Sequence, residues 1–135
     1  MLVINIPDDL PKIQANPQGM QQIFLNIINN ARYALNEKYP TRHESKIIEI
    51  FGEAITSGER EYVRMTFADR GVGISADNLP ILTKPFFSTK PFGKGTGLGL
   101  AISERIIMEH GGRLTFESQE GEFTKVIVDL PTNAP

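Results

Sequence analysis

The stretch from Gln18 to Glu37 constrains the fold most. At about 100° per residue, Met20, Ile23, Phe24, Ile27, Ile28, Ala31, Ala34 and Leu35 fall in one arc about 140° wide. Asn16-Pro17 ahead of it supplies an N-cap and a first-position proline. A long helix with so broad a core-facing stripe needs an apolar layer to lie on, and the rest of the chain reads mainly as strands. Leu2 to Ile6 is a short strand ended by Pro7-Asp8-Asp9, and Leu10 to Gln14 is an extended linker. After a polar loop from Asn36 to Lys46, Ile47 to Ile55 and Tyr62 to Ala68 form a hairpin across Thr56–Arg60. Val63, Met65 and Phe67 share one face of its second strand. Ser75 to Leu82 reads as a short helix and Gly99 to His110 as a second long one, ended by Gly111-Gly112 in the left-handed manner. Arg113–Ser118 and Phe123–Leu130 make a last hairpin across Gln119–Glu122. This order predicts one domain, an α/β (α+β) two-layer sandwich with helices on one face of a mixed sheet.

Composition removes several function classes. The 135 residues carry 14 basic and 16 acidic side chains, so no basic excess suits a nucleic acid. No apolar run approaches a membrane span, and no signal-peptide pattern follows Met1. With no cysteine and only His43 and His110, thiol chemistry and a metal-hydrolase centre are disfavoured. The expectation is a cytoplasmic, monomeric domain that touches neither membrane nor nucleic acid. It is either a small protein or a piece of a longer one.

Four stretches carry candidate chemistry. Gly93, Gly95, Gly97 and Gly99 alternate within Phe87–Leu100, more glycine than a simple turn needs. They precede a helix whose N-terminal N–H groups suit an anion, so a mobile phosphate-cradling lid is one reading. Asn26 and Asn30 lie one turn apart at the edge of the apolar stripe, with Tyr33 and Glu37 beside them. They are either a solvated helix face or, since a neutral amide oxygen suits Mg²⁺ when phosphates complete the shell, a metal site. Asp69-Arg70-Gly71-Val72-Gly73-Ile74 is either a strand-ending turn or a carboxylate that accepts from a ligand amine, with glycines for close approach. Pro85–Lys90 holds two adjacent phenylalanines that anchor a loop or face a partner, and Lys90 and Lys94 could reach phosphate. The Walker A, Rossmann and protein-kinase patterns all fail on spacing or missing residues.

Together these stretches resemble the four boxes of the catalytic, ATP-binding domain of bacterial sensor histidine kinases, within the superfamily that includes gyrase, a heat-shock chaperone and mismatch-repair ATPases. Asn26–Ala31 is similar to the N box, Asp69–Ile74 to the first glycine box, Pro85–Lys90 to the F box and Gly93–Leu100 to the second glycine box. The resemblance covers essentially the whole chain and implies a Bergerat-type fold with a mobile ATP lid. It also implies that the chain binds Mg-ATP and donates the γ-phosphoryl to a histidine on a separate dimerisation domain, with a response regulator downstream.

Residue roles follow from the same resemblance. Asn30 would coordinate Mg²⁺ and, with Lys90, serve the transfer; Asn26 would lie close to the metal or phosphates. Tyr33 and Lys90 would sit near sugar or phosphate. Asp69 would accept the adenine amino group, with Gly71, Gly73 and Ile74 around the base. Gly95, Thr96, Gly97, Leu98, Gly99 and Leu100 would close over the triphosphate, and the span from about Asn78 to Thr96 would be the least ordered without nucleotide. Asn16 and Thr83 depart from the family's usual Asp and Phe. Neither His43 nor His110 looks like a phosphoacceptor, so the acceptor domain is expected to be missing, the chain to start at a truncation, and the fragment not to autophosphorylate. His110, at a helix end, reads as a cation suited to the dipole. In the superfamily's ATPases a Glu holds the Asn26 position, and an amide cannot act as that base, which favours transfer over hydrolysis. The alternatives are an ATP-responsive interaction module and an anti-sigma-type serine kinase.

Overall fold

Asn16 starts the long helix as its position predicts: its Oδ1 accepts the Gly19 N–H at 3.1 Å. The computed structural model describes residues 2–84 and 99–132. Helix α1 spans Pro17–Lys38 and α2 spans Gly99–Glu109. The strands are β1 (Leu2–Asn5), β2 (Ile48–Ser57), β3 (Arg60–Asp69), β4 (Arg113–Gln119) and β5 (Phe123–Pro131). They form one sheet in the order β1-β2-β3-β5-β4, parallel only between β1 and β2. The expected linker after β1 adds a single bridge, Ile13 to Thr132.

Both helices lie on one face of the sheet. Ile23, Ile27, Ala31 and Leu35 of α1 and Ile107 of α2 pack on Ile48, Ile50, Phe67, Val126, Val128 and Leu130. Each buried aliphatic side chain of this kind contributes about 1.5–3 kcal/mol of transfer free energy. The Phe24 and Phe67 rings meet at 5.6 Å between centroids, tilted by 42°.

Strand alternation arranges the helix-facing side chains in rows across the sheet. One row is Ile50–Phe67–Val126–Phe116. The next, at the sheet end where β3 stops, is Ile48–Asp69–Thr124–Ser118. The apolar layer therefore ends in a polar row, and that row positions the site. On the opposite face, Asp129 is buried between Arg64, which grips it with two bonds of 2.8 and 3.0 Å, and Arg113 at 3.2 Å. Arg113 also lies over the Tyr62 ring.

Two expectations are corrected. The helix foreseen over Ser75–Leu82 reduces to a 3₁₀ turn, Leu79–Ile81. Ser75 Oγ takes the Asn78 N–H at 3.2 Å, and Pro80 both lacks an N–H and restricts the residue before it. His110 is not a helix-end cation. Its Nε2 lies 3.2 Å from the Asn16 backbone N–H, which can only donate, so Nε2 accepts. Nδ1, 2.7 Å from the Ile106 carbonyl, then carries the single ring proton. The neutral ring ties the end of α2 to the start of α1. Gly111 follows with φ +76°, as the left-handed helix end requires.

Candidate nucleotide-binding site

β3 delivers Asp69 to the end of the sheet, where its side chain is 5% exposed. Its Oδ1 accepts the Gly71 N–H at 2.8 Å, closing a side-chain turn at once. Burial pushes the carboxyl up to about 6 from an ordinary 3.8, against the opposing pull of the Gly71 N–H and the Lys38 charge. A carboxylate held at that cost, with one oxygen committed to the backbone, is suited to a donor from outside the chain.

The turn after Asp69 is clamped on two sides. A Cβ on Gly71 would sit 2.7 Å from the Ala34 carbonyl carbon, and Val72 N–H donates to Ala34 O at 3.3 Å. Gly73 has φ +72°, and a Cβ there would overlap the Gln119 carbonyl. Gly121 N–H donates to Val72 O at 2.6 Å, and Ile74 N–H donates to Ser118 Oγ at 2.8 Å. Lys38 Nζ, from the last turn of α1, donates to Gly121 O at 2.8 Å and ties the helix to the hairpin. The glycines were expected to admit a ligand to the backbone. Among the described residues, the groups they admit are α1 on one side and the β4–β5 hairpin on the other.

α1 forms the long wall. Asn26 is half-buried, and its Nδ2 donates to Gly99 O at 3.0 Å and to Ser103 Oγ at 3.1 Å. Its Oδ1 accepts from Gln22 at 3.3 Å. Asn26 thus latches α1 to the first turns of α2, where Gly99 and Leu100 are both half-buried. Asn30 and Tyr33 are half-buried along the same helix. Burial first, then a hydrogen bond to Glu37 and its charge, push the Tyr33 phenol up. From Asn26, which touches α2, to Ala34, which touches the turn, is about 12 Å at 1.5 Å per residue. The structure therefore brings Asp69, Gly71, Gly73 and Ile74 together in one turn and joins Asn26 to Gly99. Lys90, Gly95, Thr96, Gly97 and Leu98, with Phe86, Phe87 and Lys94, lie outside the described residues, as does the 85–96 part of the expected lid.

Thr124 and Ser118 were missed in the sequence. Thr124 is 7% exposed and directly opposite Asp69, and Ser118 is directly opposite Thr124. Along each strand the in-facing alternations Phe116, Ser118 and Val126, Thr124 turn from apolar to hydroxyl, but only the strand register sets those hydroxyls beside Asp69.

Against known proteins, residues 15–134 match the family described as histidine kinase-, DNA gyrase B-, and HSP90-like ATPase. The chain belongs to this family. Sporulation kinase E of Bacillus subtilis (strain 168) is 33% identical over 134 residues, 95% of this chain and 16% of that protein. Sensor histidine kinase ZraS of Escherichia coli (strain K12) is 36% identical over 126 residues, 93% of this chain and 24% of that protein. The chain thus spans a quarter or less of these relatives. Among solved structures, full-length ShkA in complex with AMPPNP superposes with TM-score 0.76 at 26% identity, covering 99% of this chain and 26% of that one. The catalytic domain of histidine kinase ThkA superposes with TM-score 0.75 at 26% identity, covering 97% and 78%. The two helices and five-stranded mixed sheet are those of histidine kinase catalytic domains of the Bergerat type. Membership in the family makes this an ATP-binding domain of the kind that serves kinase catalysis. Among the described residues, no helix is long and apolar enough to cross a membrane.

The residues present fit the groups such a domain binds. The buried Asp69 carboxylate suits the exocyclic amine of a base. The amide oxygen of Asn30 is a neutral donor of the type a hard cation accepts beside phosphate oxygens; among the described residues no three His, Cys, Asp or Glu gather into a metal cluster.

Proposed function

We propose that this domain binds Mg-ATP and passes the γ-phosphoryl to a histidine on a separate dimerisation domain of a sensor kinase, whose product a response regulator consumes. The observation that carries the proposal is the buried Asp69 at the strand end, in a turn held between α1 and the hairpin. In this reading the nucleotide lies along α1, its base at Asp69 and its phosphates towards Asn30 and the start of α2. Asp69 accepts the base amine, while Gly71, Gly73 and Ile74 hold the turn that presents it. Tyr33 faces the sugar or phosphates. Asn30 offers its amide oxygen to Mg²⁺, which, when bound, neutralises phosphate charge. Gly99 and Leu100 bring the N-terminus of α2 to the anion. Lys90 and the 95–98 glycine stretch complete the phosphate contacts. The AMPPNP carried by the ShkA structure supports a nucleotide in this fold.

Transfer rather than hydrolysis fits Asn26. Both faces of its amide are engaged, by Gly99, Ser103 and Gln22, and an amide does not take a proton from water. Phosphoryl transfer is mainly positioning and charge neutralisation, and this chain supplies the nucleotide half. The decisive experiment mixes the protein with γ-labelled ATP and a separately prepared helical acceptor domain from a sensor kinase. Acid-labile, base-stable label on the acceptor is expected. Bound ATP without any label on the acceptor would instead favour a nucleotide-responsive interaction module.

A further inference from the structure

The hydrogen-bond directions at the end of the hairpin can be assigned without ambiguity. Ile74 N–H can only donate, so Ser118 Oγ accepts it at 2.8 Å. The Phe123 carbonyl can only accept, so the single Ser118 hydroxyl proton goes to it, at 2.6 Å. The remaining contact, Ser118 Oγ to Thr124 Oγ1 at 3.0 Å, then requires Thr124 to be the donor. Thr124 has spent its one proton on Ser118, and its oxygen retains accepting capacity only. Thr124 lies directly opposite Asp69, and strand partners in register share a face of the sheet.

We propose that Ser118 is a positioning residue for base discrimination: it anchors the Asp69–Ile74 turn through Ile74 and holds Thr124 as an acceptor beside Asp69. This rests on the reading of Asp69 as the base-recognising carboxylate. The floor of the base site then presents acceptors, the Asp69 carboxylate and the Thr124 hydroxyl oxygen. Such a floor takes a 6-amino purine, which donates, and opposes a 6-oxo purine, whose oxygen would face other oxygens. Sites built to pair with one polar group reject the analogue that cannot pair, because the buried partner is left unsatisfied. Ser118 contributes by denying the Thr124 hydroxyl the freedom to rotate and donate to a 6-oxo group.

The test compares ADP with IDP, which differ at position 6 in this way, by calorimetry on the wild type, Ser118→Ala, Ser118→Thr and Thr124→Val. The wild type prefers ADP. Ser118→Ala leaves the Ile74 N–H without its acceptor and frees Thr124, so the ADP/IDP preference narrows by about tenfold, the usual cost of one unpaired buried group. Ser118→Thr keeps a hydroxyl at the same place and retains the preference. Thr124→Val preserves shape, removes the acceptor and narrows the preference even if Ser118→Ala fails to fold. Hydrogen exchange at the Ile74 amide, measured without nucleotide, speeds up in Ser118→Ala alone. A wild type with no preference for ADP would overturn the base-site reading itself. A wild-type preference that survives both Ser118→Ala and Thr124→Val, or a Ser118→Thr variant as impaired as Ser118→Ala, would overturn the role of Ser118.

Discussion

Asp69→Asn should stabilise the nucleotide-free domain while abolishing its affinity for adenine nucleotides. The wild-type carboxyl is raised from 3.8 to about 6, chiefly by burial. At about 1.4 kcal/mol per pH unit, holding it ionised in the fold costs about 3 kcal/mol at neutral pH. Asn removes that cost and keeps an oxygen for the Gly71 N–H, whose stronger bond to the carboxylate is already counted in the net rise to about 6. The net gain at pH 7.5 is therefore about 3 kcal/mol. Its pH dependence has a definite sign. As pH falls below about 6, folded Asp69 takes up a proton that the unfolded chain does not bind until near 3.8, so the wild-type penalty relaxes. The advantage of the variant therefore shrinks towards zero by about pH 4. Urea unfolding of both proteins at pH 7.5 and pH 4.5 measures this, and the other carboxylates cancel in the difference. Binding moves the opposite way, because an Asn whose oxygen faces Gly71 turns its NH₂ towards the ligand amine, donor against donor. A variant no more stable than wild type at pH 7.5, a gain that does not change with pH, or undiminished ADP affinity would each refute the reasoning.

Three further outcomes are expected. Gly73→Ala forces a side chain into a φ of +72° and onto the Gln119 carbonyl, so it should cost about 2 kcal/mol in chemical denaturation and weaken nucleotide binding with it. Asp129→Ala breaks a buried carboxylate away from two half-exposed arginines and should cost about 2 kcal/mol without changing ADP affinity; a loss below about 0.5 kcal/mol would make the cluster a surface pair in energetic terms. Asn30→Ala should remove the Mg²⁺ dependence of ATP binding seen by titration with and without the ion, and a full Mg²⁺ effect in the variant would remove Asn30 from the metal's shell.

Much of the fold was legible because it rests on long periodic segments. The stripe from Met20 to Leu35 and the alternation Val63, Met65, Phe67 specify which faces are buried, and Asn16 and Gly111 mark helix ends by chemistry that leaves few alternatives. The 75–82 segment misled because its apolar residues Leu79, Ile81 and Leu82 suit a helix, while Ser75 and Pro80 disrupt one. His110 misled because helix position alone says nothing of which backbone group meets the ring. The turn at Asp69 was found through its residue types. The other half of the same row, Thr124 and Ser118, was not, since pairing between strands more than fifty residues apart in sequence appears only once the register is known. Hydroxyl residues at strand ends are common, and only the shared row gives these two a meaning.

That row also explains why stability and function pull apart here. A sheet built for stability alone would continue the apolar rows of Phe67, Val126 and Phe116 to its end. Instead it finishes with a carboxylate, two hydroxyls and a turn whose two glycines have no room for a side chain. The Asp69 penalty is comparable with a large share of a small domain's total stability of about 5–15 kcal/mol. The surrounding bonds do not remove it. They fix the turn, so the carboxylate is presented in one geometry instead of turning out to water. A ligand amine that reaches Asp69 meets an acceptor whose desolvation has already been met on folding, and the cost of preparing the site is thereby shifted from binding to folding.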